Sequence, residues 1–407
     1  MVRLKAKQSL LLNTTFNILF LIYLSFINAI IKIPLIPYRV KGVFKYKGFE
    51  IDPVENLDEN KLKMKLFIKQ GDTFVITNLI FLANVKVGSN QQNFNLLLDT
   101  GSSITWIPIK DSKDAFPIQN HFDPNASNTS RKTKDQFQIN YGDGSLTEGF
   151  YYYDNFYYID NKNFQLLFGL AEQTNFKGSS WGADGLIGLG RNYDNRELSF
   201  IHMLNKGGVT TSRIFSLKFE NNFNSQITGK LFIGQHEDFS QNNVATCPLE
   251  RIDGRKDDWI CKVKSLSAIS SFGTYQSYKK YNILFDSGTN IIILPMDYID
   301  DIGNNLFIQN KCSIVTKDNS FYRLICTNIN NLPDFRFEIN NHAFIIPWEY
   351  IFVQKEDSFG SAIYFVTNID HITVGVPFFF LFHTLFNEDV GQLSFYPIDP
   401  KLLVRLD

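Results

Sequence analysis

The sequence predicts an all-β protein built from two related lobes, and three observations predict it. From Phe74 onward, short runs of β-branched and aromatic residues alternate with Gly, Asn, Asp and Ser, as in Val85-Lys86-Val87, Phe150-Tyr151-Tyr152-Tyr153, Lys230-Leu231-Phe232-Ile233 and Ile291-Ile292-Ile293-Leu294. Such spacing is that of an all-β chain. Leu96-Leu97-Leu98-Asp99-Thr100-Gly101 then has a counterpart at Ile283-Leu284-Phe285-Asp286-Ser287-Gly288. Finally, an apolar residue closed by Gly follows each Asp at one distance. Gly188 in Leu186-Ile187-Gly188 lies 89 positions beyond Asp99, and Gly375 in Thr373-Val374-Gly375 lies 89 positions beyond Asp286. A repeat this long points to a duplicated lobe rather than a solenoid, whose periods run about 20–50 residues. Two lobes related by a pseudo-dyad would set the two Asp turns face to face.

Each Asp turn has a physical logic. Three apolar residues in a row suit a strand buried on both faces. An Asp at the end of such a strand is poorly hydrated unless it is hydrogen-bonded or shares its charge. Gly permits a tight turn, and the hydroxyl residue can bond a carboxylate or the neighbouring backbone. One Asp-(Ser/Thr)-Gly triplet arises by chance in about one chain of this length in six. The duplicated spacing, rather than either turn alone, therefore carries the signal.

At these residues the sequence resembles the pepsin-like aspartic proteases. The resemblance rests on Asp99-Thr100-Gly101-Ser102-Ser103 followed by Trp106 and Pro108, and on Tyr141-Gly142-Asp143-Gly144-Ser145. Asp184-Gly185-Leu186-Ile187-Gly188-Leu189 and Asp286-Ser287-Gly288-Thr289 complete it, in family order, from about residue 75 to the end. It implies a bilobal pepsin-like fold, two β-barrel-like lobes related by a pseudo-twofold axis, with the active-site cleft between them. It also implies a peptide hydrolase in which Asp99 and Asp286 share one proton and activate water, with no cofactor and no metal. Two like charges held so close cannot both ionise cheaply, an effect for which the dyad of this family is the standard example.

Further roles follow from the resemblance. Ser102 and Thr289 are expected to hydrogen-bond the outer oxygens of the two carboxylates. Thr100 and Ser287 are expected to tie the turns together, with Gly101 and Gly288 beside them. Asn290 stands where the family usually has Ser, and Val376-Pro377 where it often has Asp and an aliphatic residue. Tyr141-Gly142-Asp143 resembles the tip of a flap that closes over substrate and excludes water. Tyr141 would bond the Trp106 indole, which needs a partner when buried. The equivalent offset in the second half falls at Asn328, so one lobe alone carries a flap. Leu97, Phe176, Trp181 and Leu186 are candidates for an apolar pocket beside the dyad; simple core packing is the other reading.

Taken in order, the chain of 407 residues opens with Arg3, Lys5 and Lys7, then an apolar stretch Phe16–Leu24, then small residues up to Ala29. This reads as a signal peptide over 1–29, with an uncleaved anchor as the alternative. Residues 30–70 hold Lys32, Arg39, Lys41, Lys45, Lys47, Lys61, Lys63 and Lys65. Ile31-Lys32-Ile33-Pro34-Leu35 resembles the start of the family's activation segment. A basic segment beside an acidic cleft would plug it, with Lys45 or Lys47 reaching the Asp pair; a solvated linker is the other reading. The first lobe is expected over 71–236 and the second over 237–407. Sequons at Asn125 and Asn128 mark an exposed, glycosylated loop.

The four cysteines, Cys247, Cys261, Cys312 and Cys326, allow three pairings. Cys312–Cys326 and Cys247–Cys261 are favoured because each pair is close in sequence, and the first resembles the family's second-lobe bridge. Hydrophobic residues make up 44%, which does not suit a polytopic membrane protein. A net charge of −1 without a basic block gives nucleic-acid binding no support. Gly178-Ser179-Ser180-Trp181-Gly182 matches the G-x-S-x-G of serine hydrolases, but no strand–turn–helix surrounds it.

The expectation is an aspartic endopeptidase made as a zymogen in the secretory pathway, secreted or endosomal/lysosomal. It is expected to act as a monomer on peptide and protein substrates, with no membrane partner unless the signal segment stays attached. A catalytically silent binding protein on the same fold is the rival from another class. A two-carboxylate glycosidase has only the acid pair in its favour.

Overall fold

The computed structural model describes residues 31–39, 79–159, 162–178, 182–191, 199–221, 227–234, 244–251, 258–271, 273–299, 311–316, 321–328, 332–355 and 358–406. The expected signal peptide, most of the 30–70 segment with Lys45 and Lys47, and Trp181 lie outside them. Among the described residues the chain forms three sheets, of thirteen, eight and five strands.

The 89-residue repeat is realised as strand register. Strand Gln92–Asp99 runs parallel to Gly185–Gly188, with Asp99 opposite Gly188. In the second half Tyr281–Phe285 runs parallel to His371–Val374, with Phe285 opposite Val374, so Asp286 emerges beside Gly375. Asp286 N–H donates to the Val374 carbonyl at 3.0 Å, and Leu189 N–H donates to that of Asp99 at 2.8 Å. Both glycines are required by close approach. A Cβ on Gly188 would sit 2.5 Å from the Ser103 and Ile104 backbone, and one on Gly375 would sit 2.1 Å from the Thr289 carbonyl. No side chain fits where the loop carrying each Asp passes over the strand behind it.

The larger sheet joins the halves. From one edge it reads Ala245–Pro248, Gln392–Pro397, Phe382–Asn387, Ile214–Asn221, Ile227–Ile233, Ile31–Arg39, then Leu79–Val87 and the first-lobe strands. The expected division at 236/237 thus falls between strands of one shared sheet. Apolar burial seals the seam: Phe81 stacks on Phe219 at 3.8 Å and Phe215 on Phe386 at 4.5 Å. The helix Val376–Leu381 is buried along its whole length, with Phe378 packed on Phe285, Phe344, Phe382 and Phe395. One apolar cluster runs through both lobes, and a smaller one lies beneath the Tyr141 turn.

Ile31–Arg39 alters the picture of the basic segment. Its first half pairs with Ile227–Ile233 and its second half with Leu79–Val87. Ile33 and Leu35 point into the core and Pro34 points out. This part of the expected plug is an internal strand of the shared sheet rather than a segment lying in the cleft.

Both cysteine pairs are disulfides, Cys247–Cys261 and Cys312–Cys326. Cys312 and Cys326 are direct cross-strand neighbours. Cys247 and Cys261 lie on strands of different sheets, so that bridge staples the shared sheet to the second lobe.

Candidate active site

The two Asp loops interlock through four buried hydrogen bonds with twofold logic. Thr100 Oγ1 donates to the Phe285 carbonyl (2.7 Å) and accepts from Ser287 N–H (2.9 Å). Ser287 Oγ donates to the Leu98 carbonyl (2.9 Å) and accepts from Thr100 N–H (3.1 Å). Each hydroxyl satisfies two backbone groups of the opposite loop that burial would otherwise orphan.

The grip sets the carboxylates face to face. Gly101 N–H donates to Asp99 Oδ1 at 2.8 Å and Gly288 N–H donates to Asp286 Oδ1 at 2.9 Å. A Cβ on Gly101 would lie 2.9 Å from Asp286 Cγ, and one on Gly288 would lie 2.7 Å from Asp99 Oδ1. Each turn glycine therefore borders the carboxylate of the other lobe.

The outer shells differ. Thr289 Oγ1 donates to Asp286 Oδ2 at 2.8 Å. Ser102 makes no such bond to Asp99; its Oγ accepts from Ile104 N–H at 3.4 Å. The expected symmetric support of Asp99 is absent: the Ser102 oxygen faces the Ile104 N–H of its own loop instead. Asp99 is buried at 6% exposure, whereas Asp286 is half-buried. Burial, then the neighbouring Asp286 carboxylate, push the Asp99 pKa well above the ordinary range; Gly101 N–H opposes this and Asp258 adds to it.

Above the dyad, the strands Arg131–Asn140 and Leu146–Ile159 meet in a hairpin closed by Tyr141 N–H to the Ser145 carbonyl (2.8 Å) and Gly144 N–H to the Tyr141 carbonyl (3.0 Å). Gly142, Asp143 and Gly144 are exposed, and among the described residues nothing lies within 4 Å of where either glycine would carry a Cβ. Trp106 Nε1 donates to the Tyr141 hydroxyl at 2.7 Å. Burial, with the Asp99 charge, raises the Tyr141 pKa well above its usual value, so the phenol keeps its proton. Leu97, Phe176 and Leu186 are all buried beneath this turn together with Trp106. Phe176 meets the Trp106 ring edge-on at 5.1 Å and lies 6.0 Å from Tyr141. Leu97, Phe176, Leu186 and Trp106 belong to one buried apolar cluster, against which Tyr141 packs.

Sequence reasoning missed two residues here. The Trp259 indole donates to the Leu189 carbonyl (2.9 Å) and its own carbonyl accepts from Phe285 N–H (3.1 Å), bracing both Asp loops from behind. Lys177 reaches the hairpin tip. An isolated Trp or Lys carries no local signal for either role. Asn125 and Asn128 are exposed, while Ser127, the hydroxyl residue of the first sequon, and Thr129, the middle residue of the second, both donate to the buried Asp154 carboxylate. Among the described residues no group of three His, Cys, Asp or Glu could hold a metal ion.

A duplicated β-fold whose lobes each deliver one Asp to a shared cleft defines a class of paired-carboxylate proteins. The chain belongs to the eukaryotic aspartyl protease family, whose model matches residues 80–398. It is similar to vacuolar protease A of Arthroderma otae, 28% identical over 296 residues covering 69% of each chain. It is also similar to gastricsin of Oryctolagus cuniculus, 26% identical over 340 residues, covering 79% of this chain and 82% of that one. Human gastricsin is 24% identical over 362 residues, covering 86% and 85%.

Proposed function

We propose that this protein is an aspartic endopeptidase that hydrolyses peptide bonds in acid and is made as a zymogen. The observation that carries the reading is the facing carboxylate pair, with Asp99 pushed toward its protonated form and Asp286 held by Thr289. Peptide hydrolysis needs a base to take a proton from water and an acid for the leaving amine. A pair sharing one proton supplies both, and the roles exchange as the tetrahedral intermediate forms and collapses. The protonated member polarises the substrate carbonyl. Tyr141 closes over the site and excludes water, and no covalent acyl-enzyme forms.

The relatives named vacuolar protease and gastricsin, and the two disulfides, support a route through the secretory pathway to an acidic compartment or the exterior. Asn125 and Asn128 are the glycan acceptors we infer on that route.

The test is acidification of the purified full chain. Wild type should cut itself near residue 70, about where the basic segment ends, and then cleave a peptide; departure of the segment requires strand Ile31–Arg39 to leave the shared sheet. Asp99→Asn and Asp286→Asn should each lose at least ~10³-fold in turnover while keeping the native circular dichroism spectrum. Turnover within tenfold of wild type in either folded variant would sink the mechanism. A silent binding protein on this fold would show no cleavage in any form.

A further inference from the structure

We propose that Lys177 is a positioning residue that fastens the flap tip in its closed arrangement. The second arm of the hairpin is laced to the segment after strand Lys162–Thr174, one rung at a time. The Thr147 and Thr174 hydroxyls meet at 2.8 Å. Asn175 N–H donates to the Leu146 carbonyl (3.0 Å), and the Asn175 side-chain oxygen accepts from Leu146 N–H. Lys177 N–H donates to Ser145 Oγ at 3.4 Å. Beyond Ser145 this lacing ends, and the Lys177 side chain supplies the last rung. Its ammonium donates to the Asp143 carbonyl and stands 3.7 Å from Asp143 Oδ2.

Asp143 is shaped to receive it. Its Oδ1 accepts from Ser145 N–H (2.8 Å) and its Oδ2 from Ser145 Oγ (2.9 Å), which turns its carbonyl and one carboxylate oxygen toward Lys177. Phe176, the preceding residue, meets Tyr141 and Trp106 on the cleft side. Neighbouring residues thus hold the two faces of one hairpin: Phe176 the apolar face over the cleft, Lys177 the polar tip. Among the described residues nothing lies within 4 Å of where a Cβ on Gly142 or Gly144 would sit. A tip fixed before substrate arrives loses less freedom on closing, which lowers KM with little effect on kcat.

The catalytic half of this inference rests on the peptidase reading; the structural half does not. The experiment therefore has two arms on Lys177→Met and Lys177→Arg. Hydrogen exchange at the Tyr141, Gly144 and Ser145 amides, at neutral pH without substrate, should quicken about fivefold in Lys177→Met, the scale of one part-exposed ion pair. It should stay near wild type in Lys177→Arg, with protection at Phe285 unchanged in both. The kcat/KM for a peptide should fall by a similar factor in Lys177→Met, mainly through KM, and recover in Lys177→Arg. Faster tip exchange in a chain that cleaves no peptide would keep the latch and defeat the peptidase reading. Wild-type exchange and wild-type KM in Lys177→Met, with cleavage intact, would overturn the latch alone. Faster exchange with KM unchanged would overturn the positioning role.

Discussion

The two Asp loops are built on one plan and finished on two. Backbone features obey the pseudo-dyad: the parallel register, the crowded Gly188 and Gly375, and the reciprocal bonds of Thr100 and Ser287. Side chains outside that frame do not. Thr289 holds Asp286 while Ser102 turns away from Asp99, and Asp99 is the more deeply buried. The first lobe raises an open glycine hairpin over the cleft. Near the equivalent position, Asn328 follows a strand pinned by Cys312–Cys326. Duplication preserved what positions two carboxylates and let their environments diverge, which is what chemistry needing one acid and one base rewards.

The largest effect should come from breaking the shared part. Thr100→Ala orphans the Phe285 carbonyl and Ser287 N–H, and Ser287→Ala orphans the Leu98 carbonyl and Thr100 N–H. Two buried groups at about 1–3 kcal/mol each put either variant about 2–6 kcal/mol below wild type in denaturant melts. The double variant should cost less than the two together: the single variants break different bonds, but the bonds join the same two loops, and loops loosened by losing one pair relax around the other. A clear difference between the single variants would show that the grip is not symmetric.

A smaller effect probes the part that is not shared. Tyr141→Phe removes the acceptor for the Trp106 indole and should lower kcat/KM about tenfold, roughly 1.4 kcal/mol. Asn328→Ala, at the matching offset, should leave kcat/KM within twofold by the scale of ordinary surface changes. Equal losses in peptide-cleavage assays would mean that both lobes close on substrate.

The ease of reading the sequence followed the range of each interaction. The Asp turns were legible because strand, acid, hydroxyl and Gly are contiguous, and the hairpin because Tyr141 to Ser145 make their own turn. Both disulfides joined cysteines close in sequence. Ser102 misled because a motif does not record which way a hydroxyl is turned, and here its oxygen faces Ile104 N–H. Ile31–Arg39 was read for its basic context, yet Ile33 and Leu35 alternating about Pro34 are what place it in the sheet. The shared sheet was illegible, since the pairing of Ile214–Asn221 with Phe382–Asn387 spans most of the second lobe. Lys177 meets Asp143 across 34 positions, with nothing in either residue to announce the other.

The smallest effect sharpens the asymmetry between the acids through stability rather than rate. The Asp99 pKa is raised in the folded chain, first by burial and then by Asp286. A carboxyl with a raised folded pKa stabilises fully below its unfolded value, about pH 3.9. That contribution is lost as pH rises through the folded value, because the fold must then hold a buried charge. Asp99→Asn lacks this group. Asp286→Asn keeps it and relieves the neighbouring-charge cause, while the larger burial cause remains. Both variants should be inert, so neither digests itself during the measurement. Between about pH 4 and pH 7, Asp286→Asn should therefore lose more thermal stability than Asp99→Asn. Charges common to both, those of residues 30–70 included, cancel in the difference. Parallel Tm-against-pH curves would mean that Asp99 carries no special burden in the fold, and that the two acids, for all their different surroundings, are equivalent.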